Sequence, residues 1–175
     1  MGCDLKRQAV DGATPSERIP MGSDRSIHAY RKLVVLLTAR HYLKASETQT
    51  ANEDMTAEEA MSLFPGDYPD DWVQALLAWT KVHFPLPDLW DIAPDYSAVS
   101  DAVRDERLEG LRKFVDHSDC DGRHSRGDVA DIAALFEQVQ PDADEVLVRE
   151  NHEWFERVAR FFIAARDAHE FITYC

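Results

Sequence analysis

The chain has 175 residues, with 19 Lys and Arg against 33 Asp and Glu, a formal charge of −14. That length suits one domain, and 45% hydrophobic residues is a globular composition. The acid excess excludes generic binding to nucleic acid or to anionic membranes, because phosphate surfaces call for Lys and Arg. The longest aliphatic run, Leu33 to Leu37, is far too short to span a bilayer. Three cysteines without a CxxC pair give no disulfide framework, and reduced thiols are the expectation. A soluble, cytoplasmic protein is expected.

Residues 1–22 are polar and broken by glycine and proline, and read as a flexible N-terminal arm. Ser23 then caps a helix running to about Lys44, with Ile27, Tyr30, Leu33, Val34, Leu37 and His41 as its apolar stripe. A polar linker covers 45–55. Thr56 and Glu59 form a capping box for a short helix ending before Pro65. Asp70 and Asp71 sit in the first turn of the next helix, where the dipole favours anions; it carries Trp72, Leu76, Trp79 and Val82. Pro85, Pro87 and Pro94 interrupt an aromatic stretch with Phe84, Trp90 and Tyr96.

The spacing predicts a helix from about Ser97 to Asp116, another from Ser125 to just before Pro141, and a last one from about Asp142 to Phe171. No segment alternates with period 2 for more than a few residues. The fold class is therefore read as all-α: an irregular bundle of about six helices, with residues 23–175 as a single helical domain. Phe114, Leu135, Phe136, Trp154, Phe155, Val158 and Phe162 are its expected core.

Charge is uneven along the chain. Residues 1–44 hold 8 basic and 4 acidic side chains, residues 45–110 hold 3 and 15, and residues 111–175 hold 8 and 14. The acidic middle can face a basic partner, with Asp70, Asp71, Asp101 and Asp105 as the steering carboxylates and Trp90 or Tyr96 as anchors.

One motif carries chemistry. Residues 114–136 read FVDHSDCDGRHSRGDVADIAALF: an apolar helix end, an oxygen-rich loop with a glycine, then a capped apolar helix. This is the layout of an EF-hand-like calcium loop. With Gly122 as the sixth position, the ligands are His117, Asp119, Asp121, the Arg123 carbonyl, Ser125 and Asp128. Gly122 is expected to need a backbone conformation that a Cβ would strain. Ser125 also caps the exiting helix, with Asp128 closing the box. His117 stands where a carboxylate is usual, Asp128 is shorter than the usual Glu, and His124 occupies an eighth position that is usually apolar. An Asp-rich interhelical turn is the plainer account of the same residues. His117, Cys120 and His124 could instead meet a zinc ion.

His117-Ser118-Asp119-Cys120-Asp121-Gly122, with the later Trp154 and Phe161-Phe162-Ile163, resembles a family of small uncharacterised bacterial, largely actinobacterial, and phage-associated proteins that carry an HSDCDG signature. The resemblance spans about residues 108–172, and Arg123-His124 departs from the acidic residue and Ile that follow the signature there. It implies no activity.

The leading expectation is a non-enzymatic acidic interaction protein, an inhibitor, immunity or anti-defence type, binding a basic and nucleic-acid-binding protein partner without touching nucleic acid or membrane itself. A single calcium-binding module is the alternative, and a metal-dependent hydrolase using the Asp119/Asp121 loop is the third. No cofactor is expected beyond that candidate calcium.

Overall fold

The structure, a computed structural model, describes residues 2–9, 17–43, 108–115 and 122–174. Among these residues the chain is mixed: four helices with a four-stranded antiparallel sheet. The all-α expectation is thereby overturned. In chain order the elements are β1 (Gly2–Gln8), β2 (Glu17–Ser23), α1 (Asp24–Leu43), α2 (Glu109–Val115), β3 (Gly122–His124), α3 (Arg126–Val146), α4 (Arg149–Asp167) and β4 (Phe171–Tyr174). The helices expected within 56–82 and the aromatic stretch at 84–97 lie outside the described residues.

The segment read as a flexible arm supplies two of the four strands. β1 and β2 form a hairpin, and the sheet order is β2-β1-β4-β3. Leu5 lies opposite both Ile19 and Tyr174, and Ile172 lies opposite Arg7 and His124. Leu5, Ile19, Ile172, Tyr174 and His124 are buried, whereas the alternate positions Lys6, Gln8, Arg18, Arg123 and Phe171 are half-buried or exposed. Each strand thus has the period-2 pattern of a sheet with one face on the core. The pattern is only two or three repeats long, and Arg7 and His124 occupy inward places where an apolar residue would have signalled a strand.

The helices follow their apolar stripes. Leu33, Val34 and Leu37 are buried in α1, which begins one residue after Ser23. α3 does not stop before Pro141 but runs through it. A proline there removes the N–H that would bond the Glu137 carbonyl, and Glu137 is exposed, so water can take that carbonyl's bond. α4 ends earlier than its pattern suggests. His169 takes a left-handed φ of 55°; its N–H donates to the Arg166 carbonyl and that of Glu170 to the Ala165 carbonyl. This is a Schellman stop made without glycine, and it turns the last residues into β4.

The expected core residues are all buried in one cluster with Leu5, α1 and β4. Phe136 meets Phe114 edge-on at 5.3 Å between centroids, Phe155 at 5.2 Å and Phe162 at 5.8 Å. The first pair is edge to face, the second tilted and the third stacked, and edge-to-face and offset-stacked rings add to area burial. Two glycines allow close approach. A Cβ on Gly110 would collide with the Asp131 carbonyl, so α2 can cross α3 closely only without a side chain. A Cβ on Gly122 would overlap the Tyr174 ring opposite it in the sheet. The constraint on Gly122 is therefore packing, not the strained backbone expected from sequence.

Two outcomes follow for stability. Replacing Trp154, 3% exposed, by Ala should cost about 3–5 kcal/mol in denaturant unfolding, from lost burial and the cavity left behind; an unchanged midpoint would contradict the packing of α4. Gly122→Ala should cost about 1–3 kcal/mol. Shortening the ring in a Gly122→Ala/Tyr174→Leu double variant should make the glycine substitution cheaper, measured as a double-mutant cycle. A backbone-strain origin would leave the two effects additive.

Candidate functional site

The oxygen-rich segment lies in sequence between α2 and β3, and β3 leads into α3. The connection is not a plain interhelical loop, because β3 pairs with β4. Its two feet are fixed: Phe114 and Val115 are buried at the end of α2, and His124 is buried at the end of β3. His117, Asp119, Cys120 and Asp121 lie outside the described residues, as do the partner-facing Asp70, Asp71, Trp90, Tyr96, Asp101 and Asp105.

Of the candidate ligands, Arg123, Ser125 and Asp128 are described. The backbone of Arg123 lies in β3 opposite Thr173, and its guanidinium stands 5.3 Å from the Phe171 ring centroid. Ser125 and Asp128 meet as the capping box that their spacing predicts. The Asp128 amide donates to Ser125 Oγ at 3.2 Å, and the Ser125 amide and hydroxyl donate to Asp128 Oδ2 at 2.8 and 2.7 Å. The other Asp128 oxygen lies 3.2 Å from Lys113 Nζ. Among the described residues no group of three or more His, Cys, Asp and Glu side chains is arranged to hold a metal.

Lys113 is the electrostatic centre of this end of the molecule. It reaches forward from α2 to Asp128 and Asp131 on α3 and back to Glu109 one turn earlier. Burial alone would lower its pKa, but the bonds to Asp131 and Asp128 outweigh that and raise it. Burial would likewise raise Asp128, yet the Ser125 bonds and the Lys113 ammonium hold it below the usual carboxylate range. Glu109 is lowered chiefly by its bond to Arg112. The sequence signal for part of this was present: Glu109 and Lys113 are four apart on a helix, acid first, the favourable order. Nothing in the sequence places α2 against α3.

His124, 4% exposed, fills the loop's eighth position with its ring between Phe162 and Tyr174, at 5.9 and 5.1 Å between centroids. It behaves as the apolar residue usual at that place, and joins the sheet through β4 instead of a partner loop. Burial pushes its imidazole down to about 4; Asp128 acts against that shift, and the buried Arg31 of α1 adds to it.

A shallow cleft of about 390 Å³ lies between Glu17 of β2 and the outer side of α4. Glu17, Glu153 and Glu156 in its wall are paired with Arg7, Arg149 and Arg160, and Phe161 and Ala164 line it with Arg157. It presents no nucleophile. Elsewhere His41 Nδ1 lies 3.1 Å from Asp142, which Arg40 also grips at 2.6 Å; this ties α1 to α3. No helix among the described residues is long and apolar enough to cross a membrane.

Comparison with protein-family models, with curated proteins and with solved structures gives no match.

The neutral state of His124 sets a pH dependence. Its pKa is depressed in the folded state from an ordinary 6.5, so below 6.5 the unfolded chain binds the extra proton and stability falls with pH until about 4. The difference amounts to about 3 kcal/mol. Urea unfolding at stepped pH should show this loss, and His124→Leu should remove that part of it. Identical slopes in the two proteins would mean His124 is not held neutral.

Proposed function

We propose that the chain is a non-enzymatic interaction protein whose acidic residues bind a basic protein partner. One observation supports this most. Among the described residues most charged side chains serve internal pairs, such as Arg166 with Glu137 and Arg40 with Asp142. Residues 45–110 hold 15 Asp and Glu against 3 Lys and Arg, a net of −12 out of the chain's −14, so their carboxylates far outnumber the cations of the same stretch. They suit a positive surface met over about a Debye length, ~8 Å at physiological salt, and an inhibitor of this type offers carboxylates where phosphates would bind.

Exposed pairs give only ~0–1 kcal/mol each, so firm binding needs several carboxylates together with an aromatic anchor, for which Trp90 and Tyr96 stand in the same stretch. Reversing the charges of Asp70, Asp71, Asp101 and Asp105 should slow association at least tenfold and change dissociation less. Pull-down from the host followed by binding kinetics across a salt series checks this. An affinity flat in salt, or a partner with an acidic contact surface, would defeat the proposal. Running the pull-down in calcium and in EDTA tests the second reading. That reading is supported by the way the acidic run enters a box-capped helix from two fixed feet, and capture only in calcium would favour it.

A further inference from the structure

Averaged over the chain, the charge forbids nucleic acid; the strand register makes a local exception. Arg18 lies opposite Lys6, Lys6 opposite Thr173, and Thr173 opposite Arg123. These four residues form one row across all four strands, on the side away from Leu5, Ile172 and Tyr174. With strands about 4.8 Å apart the row is about 14 Å long, and three of its four members are cationic. Arg18 and Arg123 are exposed and Lys6 is half-buried. Beside the row Phe171 is half-buried, with the Arg123 guanidinium over its ring, and Gln8 donates to Thr173 Oγ1 at 3.2 Å. The one carboxylate at the outward positions of the described strands is Asp4, which pairs with Arg18.

We propose that this outward sheet face binds single-stranded nucleic acid, with Arg18, Lys6 and Arg123 on phosphates and the Phe171–Arg123 stack under a base. A sheet face of this kind does not enter a duplex groove, and an aromatic ring with a guanidinium on it offers stacking only to an unpaired base. Cations alone would suit an acidic peptide equally; the stack and the neighbouring amide and hydroxyl favour the nucleic acid. This proposal uses none of the acidic residues invoked above. The chain's excess of acid keeps the affinity modest and confines it to low ionic strength.

Fluorescence anisotropy of short labelled oligothymidylate and oligouridylate with the full chain tests this across a salt series. Three phosphate contacts should give a slope of log K against log salt of about −2. Arg18→Gln/Arg123→Gln, both at exposed positions, should weaken binding about tenfold or more with an unchanged melting temperature, and adding Lys6→Gln should abolish it. Phe171→Ala should cost about five- to tenfold. Arg126→Gln/Arg157→Gln, exposed cations off the sheet, should bind as wild type. Absence of binding at low salt, or retention by the Arg18/Arg123 variant, would overturn the proposal. So would duplex DNA binding as tightly as single strands, and so would polyglutamate competing equally while Phe171→Ala has no effect, which would make the face a surface for acidic polypeptides.

Discussion

The sheet depends on one buried ion pair between residues far apart in the chain. Arg7 of β1 donates to Glu170 at 2.7 Å, to Glu17 of β2 at 2.9 Å and to the Ala164 carbonyl of α4 at 3.2 Å. Arg7 and Glu170 have only 13% and 11% of their side chains exposed. A guanidinium so placed must have its donors filled, because a buried charge without partners is expensive. The partners are available because α4 stops where it does. The left-handed His169 ends the helix, the Schellman bonds fix Glu170, and Glu170 accepts from Arg7 at the point where β4 turns in beside β1.

β4 is then the strand on which the sheet converges. It is four residues long and has both edges paired, with β1 on one side and β3 on the other. Through β3 it sets the returning foot of the acidic loop, and through Tyr174 it dictates that Gly122 stay glycine. His124 closes the same corner by substituting a neutral ring for an apolar side chain between Phe162 and Tyr174. The helical layer is joined to itself more conventionally, by the phenylalanine cluster and by the ties of α1 to α3 through Asp142 and Tyr42. The acidic run of 116–121 thus stands in sequence between the buried Phe114 and Val115 and the buried His124.

Much of the helical half was legible in the sequence. The stripes of α1, α3 and α4 were long enough for their period to be read, and the Ser125–Asp128 box marked the start of α3. The sheet was not legible. β3 has three residues and β4 four, and the inward places of β1 and β3 include Arg7 and His124, whose burial is justified only by partners elsewhere in the chain. Pro141 gave a false stop because an exposed carbonyl tolerates it, and His169 hid a true one because the left-handed cap usually belongs to glycine. For the site, spacing reached the capping box but not the Lys113 hub, which needs α2 beside α3. The cationic row of the sheet is invisible in composition, since its members are scattered from Lys6 to Arg123.

The separation of 163 residues between Arg7 and Glu170 has a consequence during synthesis. At about 5–20 residues per second, the β1–β2 hairpin waits roughly 8–30 seconds for the strand that completes it. Throughout that interval the free edge of β1 is a template for any other extended chain nearby. The outward cation on that strand itself is Lys6, a charge of the kind that discourages edge-to-edge pairing. Until β4 arrives, this member of the finished face's row also acts as the hairpin's protection while it is still half a sheet.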